Sequence, residues 1–451
     1  MKKIGFIAMS GVRANNAELT KLGLTLPGFV DRNRIIASLP SLGLLTLAGL
    51  TPSNFAIAYH EIAEVKENGY PDDLDLVAIS TFTAQFNEAL TVADHYRSQG
   101  VPVVMGGITV SSLADEALQH CTSVVIGEGE PLWPEVLKDF DRGALRRRYE
   151  QPRPGQFNLW NAPMPRFDLL DPAKYNRITV QTSRGCPHRC EFCASSILLT
   201  SRYKVKPVDK VLAEIHAIKR IWPRPFIELA DDNSFVNREH SKRLLRALVP
   251  ERLRWFTEAD VKIAEDDELL GLMRDSGCQQ VLIGLESPRR QSLEGLDLNS
   301  NWKARQQDHY AAAIEKIQSY GITVNGCFIL GLDADKPEIF DDVLRFVRES
   351  GLYEVQVTFQ TAFPGTPLYA RLLGEGRILK PGAWDLCTLF DINFQPRNMT
   401  VQQLQSGFLK LVKELYSSSE TQERRRSFKR RLRQSPNFPR QAVGQEQLLA
   451  A

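Results

Sequence analysis

The chain has 451 residues, of which 43 % are hydrophobic and 24 % charged, with 56 basic against 54 acidic side chains and a formal net charge of +2. That balance excludes a disordered or fibrous chain, and it supplies no overall field that would demand nucleic acid or a membrane surface as partner. No run of about 18 apolar residues is present, so no transmembrane helix is expected.

Residues 1–145 alternate short apolar stretches with helical ones. Met1-Lys2-Lys3-Ile4-Gly5-Phe6-Ile7 breaks at Ser10 and reads as the approach to a first strand, Lys3 to Met9, rather than a signal peptide. Further strands are predicted at Phe55–Tyr59, Leu76–Ser80, Val101–Met105 and Ser123–Ile126, with a helix at Asn87–Gln99. Short, mostly β-branched or apolar strands separated by helices indicate a doubly wound, Rossmann-like α/β domain with a parallel sheet. Such sheets bind ligands at the carboxyl ends of their strands. Those ends carry Ser80-Thr81-Phe82-Thr83, Gly106-Gly107-Ile108-Thr109 and Gly127-Glu128-Gly129-Glu130. Glycines at consecutive strand ends let a large ligand approach the backbone, and they also serve as simple turn residues.

Residues 146–170 read as a linker. Pro152, Pro154, Pro163 and Pro165 interrupt the rhythm, and Arg146-Arg147-Arg148 reads as a solvated helix end. A second series occupies 171–375, with strands at Ile178–Thr182, Phe226–Ala230, Arg254–Thr257, Gln280–Gly284, Thr323–Leu330 and Glu354–Gln360, and helices such as Asp209–Ile221 and Asp267–Asp275. Six βα units suggest a partial (βα)6 barrel with its chemistry at the carboxyl strand ends. Those ends hold the cysteine loop, Asp231-Asp232-Asn233, Glu258-Ala259-Asp260, Glu286-Ser287-Pro288, Gly331-Leu332-Asp333 and Pro364-Gly365-Thr366. Acidic residues there also serve as helix N-caps.

Residues 376–433 form a helical extension. An amphipathic helix is predicted over 400–416 with Thr400 as its N-cap. Arg424 to Arg433 contains seven basic residues in ten, a solvated helix face or a loose tail. With Phe428 the one interleaved aromatic, RNA binding is not favoured. Residues 434–451 read as a disordered tail.

Three of the seven cysteines lie within eight residues, in Thr182-Ser183-Arg184-Gly185-Cys186-Pro187-His188-Arg189-Cys190-Glu191-Phe192-Cys193. An odd cysteine count without a signal sequence does not suggest a secreted disulfide framework. The C-x3-C-x2-C spacing directly follows a strand, and clustered thiolates suit zinc or iron–sulfur. Structural zinc wants a fourth ligand. His188 sits between candidate ligands, where its geometry is cramped. A [4Fe–4S] cluster held by three cysteines leaves one iron open for chemistry. Cys278 and Cys327 read as small buried hydrophobes, and Cys387 lies near the expected cover of the active site.

This loop, with an aromatic before its last cysteine, resembles the signature of the radical S-adenosylmethionine (SAM) enzymes. The phrase TSRGCPHRCEFC is similar to the branch with an N-terminal cobalamin (B12)-binding domain, and MGGITVSSLADEAL followed by SVVIGEGE resembles the end of that domain. The stretch from Trp384 to Phe428 resembles the extension of a hopanoid-methylase-like subgroup. The resemblance implies that Cys186, Cys190 and Cys193 hold the cluster, whose open iron chelates SAM. It implies SAM contacts from Phe192, Asp231, Asp232, Glu258, Glu286 and Ser287, with helix capping as the alternative for Asp231. It implies a cobalamin site at Ser80, Thr81, Thr83, Gly106, Gly107, Ile108, Gly127, Glu128 and Gly129.

The chain departs from the branch in one respect. The D-x-H-x-x-G motif, whose His ligates cobalt, is replaced by Met9-Ser10-Gly11-Val12-Arg13-Ala14-Asn15-Asn16. Cobalamin then binds without that ligand, or the domain no longer binds it. No second cysteine triplet is present, which disfavours the methylthiotransferase branch.

The expected function is reductive cleavage of SAM to a 5′-deoxyadenosyl radical, used for cobalamin-dependent C-methylation of a small, hydrophobic substrate, a lipid among the candidates. The alternatives are a radical oxidative cyclisation, as in the anaerobic cyclase of chlorophyll synthesis, and a non-catalytic metal-binding module that contacts RNA. A low-potential electron donor such as flavodoxin or ferredoxin is implied, as is a cytoplasmic location, peripheral to the membrane if the substrate is a lipid. Phe359, Phe363 and Phe390 are either a lining for that substrate or core.

Overall fold

The computed structural model describes residues 1–11, 14–22, 39–151, 155–200 and 202–438. Its first sheet contains β1 (Lys3–Met9), β2 (Ala56–Glu61), β3 (Leu76–Thr81), β4 (Val103–Gly106), β5 (Ser123–Ile126) and β6 (Arg148–Glu150). All six run parallel in the order β2-β1-β3-β4-β5-β6. The strand order reverses beside β1, the topological switch point where doubly wound sheets open a crevice. Helices cover both faces. Phe86–Ser98 contributes Phe86, Ala89, Ala93 and Tyr96 to one core, and Trp133–Asp141 presents Trp133, Val136, Leu137 and Phe140 to the other.

The sixth strand corrects the reading of Arg146-Arg147-Arg148 as a helix end. Arg148 instead begins β6, which pairs with β5 through Arg148–Val124, Tyr149–Val125 and Glu150–Ile126. Tyr149 is its one buried residue, so no apolar pattern announced the strand. The first sheet therefore extends into the segment expected to be linker. Of that segment's prolines, Pro152 and Pro154 lie outside the described residues. The rest crosses the helix Leu42–Leu50, where the Arg166 amide donates to Leu45 O. A Cβ at Gly49 would stand 2.1 Å from Met164 O, so this crossing requires glycine.

The second sheet contains β7 (Ile178–Val180); the two-stranded antiparallel pair β8 (Ser183–Arg184) and β9 (Lys204–Val205) then intervenes. The sheet continues with β10 (Phe226–Leu229), β11 (Arg254–Ala259), β12 (Cys278–Glu286), β13 (Thr323–Leu330) and β14 (Glu354–Phe359). These six parallel strands run in the order β14-β13-β12-β11-β10-β7, an incomplete barrel. Phe359 and Phe390 are buried in its core, with Phe359 packed 4.2 Å, centroid to centroid, from Phe408, so these two rings are structural.

The C-terminal extension straps the two domains together. The Asn15 amide donates to Asp391 (2.8 Å), the Asn15 side chain donates to Asp385 O (2.8 Å), and the Trp384 indole donates to Glu116 (3.1 Å). The helix Val401–Leu415 begins at Thr400 in a reciprocal capping box with Gln403. The basic run lies on the helix Ser418–Gln434, which is packed rather than loose: Arg424 is buried and donates to Leu415 O, and Phe428 meets Tyr353. Residues 435–438 of the expected tail are also bonded, with Ser435 Oγ donating to Ser319 O and Asn437 O accepting from Arg274; residues 439–451 lie outside the described residues.

Candidate active site between the two domains

The cysteine loop leaves β8 through Gly185, whose φ of +88° and approach to Arg202 O exclude a side chain. Neighbouring elements fix it on several sides. The Gly185 amide donates to Asp232 (2.7 Å), and Ser195 Oγ donates to the same carboxylate. The Glu191 amide donates to Leu296 O, the Leu298 amide to Arg189 O, and Cys190 forms a β-bridge with Asp297. Arg371 grips the Glu191 carboxylate with two nitrogens. The His188 ring stacks on Trp302 at 4.3 Å, lies 3.5 Å from Asp260 and lines the cavity in front of the loop.

Cys186, Cys190 and Cys193 line one cavity of about 300 Å3. Among the described residues no three Cys, His, Asp or Glu side chains already converge at metal-bonding distance. The fit to a cluster therefore rests on the donor set: three soft thiols from one short loop on one cavity wall, with room in front of them. Burial pushes the Cys186 thiol up to about 11 and the Cys190 thiol up to about 12, so iron binding there displaces protons.

Phe192, Asp232, Glu258 and Glu286 line the same cavity. Asp231 and Ser287 do not. Asp231 is consumed by the fold: it accepts from the Thr182 and Ser183 amides (2.7 and 2.8 Å), from Ser234 Oγ (3.1 Å) and from Thr182 Oγ1. Ser287 is buried, and its Oγ accepts from the Arg289 amide. Consecutive residues at a strand end point to opposite sides, and the sequence does not say which of the pair Asp231-Asp232 faces inward.

Three features were not read from the sequence. Cys327, expected to be plain core, lines the cavity. Lys303 lines it too, its ammonium bonded to Glu286 (2.7 Å) and Gly284 O (3.0 Å). Burial works against the Lys303 charge, but Glu286 and the Cys190 sulfur hold its pKa well above the ordinary value. Glu286 itself has a φ of +61°, an uncommon backbone for a non-glycine residue and one costing on the order of 1–3 kcal/mol.

Glu258 opens onto the cavity. Its side chain is exposed toward the cavity, and partial loss of hydration there, together with the nearby carboxylates of Glu228, Asp232, Glu286 and Asp231, pushes its carboxyl up to about 8. A carboxyl raised in the fold favours folding below its unfolded value and loses that contribution as pH rises through the folded value. The melting temperature of the cluster-free protein is therefore expected to fall between pH 5 and about 8, and Glu258→Gln to flatten that fall. An unchanged slope in the variant would refute the assignment.

A second cavity, of about 490 Å3, lies between the domains. Ser80, Gly106, Gly107, Ile108, Gly127, Glu128 and Gly129 line it from the first domain, and Gln181, Arg184 and Ala230 from the second. Gly107 (φ +100°) and Gly127 (φ +96°) adopt backbone that disfavours side chains, which leaves their wall open. Thr81 and Thr83 do not line it. Thr81 Oγ1 donates to Phe82 O, and Thr83 is hydrogen-bonded to Thr109.

A buried ionic cluster joins this wall to the cysteine loop. Arg184 donates to Glu128 (2.7 Å) and Glu130 (2.6 Å), Lys204 donates to Glu128 (2.7 Å), and the Phe157 amide donates to the second Glu128 oxygen. Burial opposes the Glu128 charge, yet Lys204, the Phe157 amide and Arg184 together hold its carboxyl below the ordinary range.

Comparison with known proteins agrees with this geometry. The Radical SAM superfamily profile matches residues 180–347, and a domain of unknown function, DUF4070, matches residues 366–450. Bacteriochlorophyllide d C-12(1)-methyltransferase of Chlorobaculum tepidum is 27 % identical over 84 % of this chain and 83 % of its own. Hopanoid C-2 methylase of Rhodopseudomonas palustris is 26 % identical over 76 % and 66 %. The radical SAM methyltransferase TsrM of Kitasatospora setae, solved with cobalamin and a [4Fe-4S] cluster bound, shares the fold with a TM-score of 0.62 at 16 % identity, over 85 % of this chain and 77 % of that one. With its cysteine loop set at the mouth of an incomplete parallel barrel and a doubly wound domain facing it, this chain carries a Radical SAM superfamily domain over residues 180–347 and is an enzyme that uses a [4Fe-4S] cluster and SAM.

Proposed function

We propose that the protein is a cobalamin-dependent radical SAM C-methyltransferase acting on a small hydrophobic substrate. The observation that carries this reading is the interdomain cavity, whose glycine wall and the cysteine loop are bonded to each other through Glu128 and Arg184. Relatives over three quarters or more of the chain include methyltransferases, and TsrM shares the fold with cobalamin bound.

When bound, the cluster supplies the electron that splits SAM into methionine and a 5′-deoxyadenosyl radical, and cobalamin supplies the methyl group. Cys186, Cys190 and Cys193 would hold the cluster. In this reading Phe192 meets the adenine, while Asp232, Glu258 and Glu286 meet the ribose and the amino-acid portion of SAM. Asp232 also braces the loop through Gly185, so ligand contact and loop position are linked. Asp231 and Ser287 act through the backbone they hold. Ser80, Gly106, Gly107, Ile108, Gly127, Glu128 and Gly129 would cradle cobalamin. The cavity wall is otherwise rich in leucine, with Leu42, Leu44, Leu47, Leu198 and Leu199, which excludes water from a reactive radical. The same apolar wall and the hopanoid methylase relative support a lipid substrate and peripheral contact with a membrane. Among the described residues no helix is long and apolar enough to cross one. A low-potential donor of the flavodoxin or ferredoxin type completes the reading, and a reducing cytoplasm agrees with seven free cysteines.

The test uses anaerobically reconstituted full-length protein with SAM and a low-potential reductant, with and without cobalamin. 5′-Deoxyadenosine and S-adenosylhomocysteine are quantified. Deoxyadenosine in both arms with S-adenosylhomocysteine only in the presence of cobalamin is the expected result. Deoxyadenosine with no cobalamin effect on either product would reject methyl transfer in favour of a cyclase-like reaction.

A further inference from the structure

The segment after β12 forms a saddle for the cysteine loop, and it ends in a buried cation. Leu296 and Leu298 bond the loop backbone, Asp297 bridges Cys190, and Trp302 stacks on His188. The next residue, Lys303, has a side chain only 11 % exposed and ends in the cluster cavity. Cys190 and Lys303 line the same cavity. The ammonium is fixed by Glu286 and Gly284 O, on either side of a register shift in β12. Gly284 is itself shaped by this pair. A Cβ there would stand 2.5 Å from Glu286 Oε1 and 3.2 Å from Lys303 Nζ. A carboxylate on left-handed backbone, a glycine that makes room and a buried ammonium bonded to both together form a built arrangement.

We propose that Lys303 is a positioning residue that holds the Glu286 carboxylate at the cavity wall and places a fixed positive charge in the cavity that Cys186, Cys190 and Cys193 line, favouring the reduced state of the cluster there. The inference rests on the reading that Cys186, Cys190 and Cys193 hold that cluster. The potential of an iron–sulfur cluster follows the net charge and hydrogen bonding around its sulfurs. Reduction adds one electron to a site in low dielectric, where a nearby cation stabilises the reduced form more than it would in water. Glu286 offsets part of that effect, so the two members of the pair act on the potential with opposite sign. A packing role alone has no such signature, since loosening the wall from either side moves the site in one direction.

The experiment is a potentiometric titration of the anaerobically reconstituted full-length protein, followed by electron paramagnetic resonance of the reduced cluster, with iron and sulfide counted in every sample. Lys303→Met is expected to shift the midpoint to more negative potential. Lys303→Arg, which keeps the charge, returns it toward the parent value. Glu286→Gln, which leaves the lysine uncompensated, shifts it to more positive potential. Equal midpoints in iron-replete Lys303→Met and Glu286→Gln, or shifts of the same sign, overturn the proposal. If Lys303→Met does not assemble a cluster, Glu286→Gln decides by the same criterion: a positive shift supports the proposal and its absence rejects it. A parent protein that takes up no iron overturns the cluster reading itself, and this inference with it.

Discussion

Cys190→Ser is expected to lower iron from four per chain to near zero after reconstitution and to reduce SAM cleavage by at least about a thousandfold, equivalent to about 4 kcal/mol at the transition state. Cys190 is the most informative of the three because its surroundings are built from so many sides. Its backbone bridges Asp297, its neighbour Glu191 is held by Arg371 and Leu296, and it shares its cavity with the buried cation of Lys303. With no metal, burial keeps the thiol protonated to about 12, so serine is a neutral replacement of similar shape and the fold survives. Loss of iron with an unchanged circular dichroism spectrum therefore separates metal binding from folding. Cys121→Ala is the control. That residue is buried in the first domain and belongs to its apolar core, so its replacement keeps full iron. Iron and SAM cleavage retained in Cys190→Ser would defeat the assignment of the cluster ligands.

The second large effect concerns the ionic cluster between the domains. Glu128→Gln is expected to destabilise the protein by about 3–5 kcal/mol, the cost of removing one partner from a buried pair. The Glu128 side chain is fully buried, and without its charge Arg184 keeps Glu130 while Lys204 keeps only carbonyl oxygens. Arg184→Met is expected to cost less, because Lys204 and the Phe157 amide still serve Glu128. The double variant should fall short of the sum of the singles, since both remove one interaction. Urea midpoints measure all three. The pH dependence has a defined sign. A carboxyl held below its ordinary value contributes stability above its unfolded pKa and loses it as pH falls through the folded one. Acid therefore weakens the parent below about pH 4.5 more steeply than it weakens Glu128→Gln. Because Glu128 stands in the wall of the interdomain cavity, cobalamin affinity, read from the absorption spectrum, should fall in the same variants. Additive single effects would show that the groups are not coupled.

The elements that were legible in the sequence are those with an apolar pattern of their own. β1, β5 and β13 coincide with the predicted strands, because central parallel strands are buried on both faces and read as continuous apolar runs. β6 was not legible, since an edge strand with one buried tyrosine has no such run. The cysteine loop was legible because metal ligation fixes spacing within a few residues. Its supports were not. Arg371 is 180 residues from Glu191, and Arg184 is 56 from Glu128, so both pairs exist only once strands from different parts of the chain are stacked. The division of labour between Asp231 and Asp232 depends on which side of a strand end each faces. The interaction of Lys303 with Glu286 depends on a register shift that no residue pattern records.

The strap formed by Asp385 and Asp391 gives the two domains an order of completion during synthesis. Every strand of both sheets has been made once Phe359 is built, whereas Asn15 waits for partners that come later in the chain. At about 5–20 residues per second, roughly two to six seconds separate the end of β14 from the arrival of Asp391. The contacts of Asn15 with Asp385 and Asp391 are therefore among the last long-range contacts of the first domain to become possible.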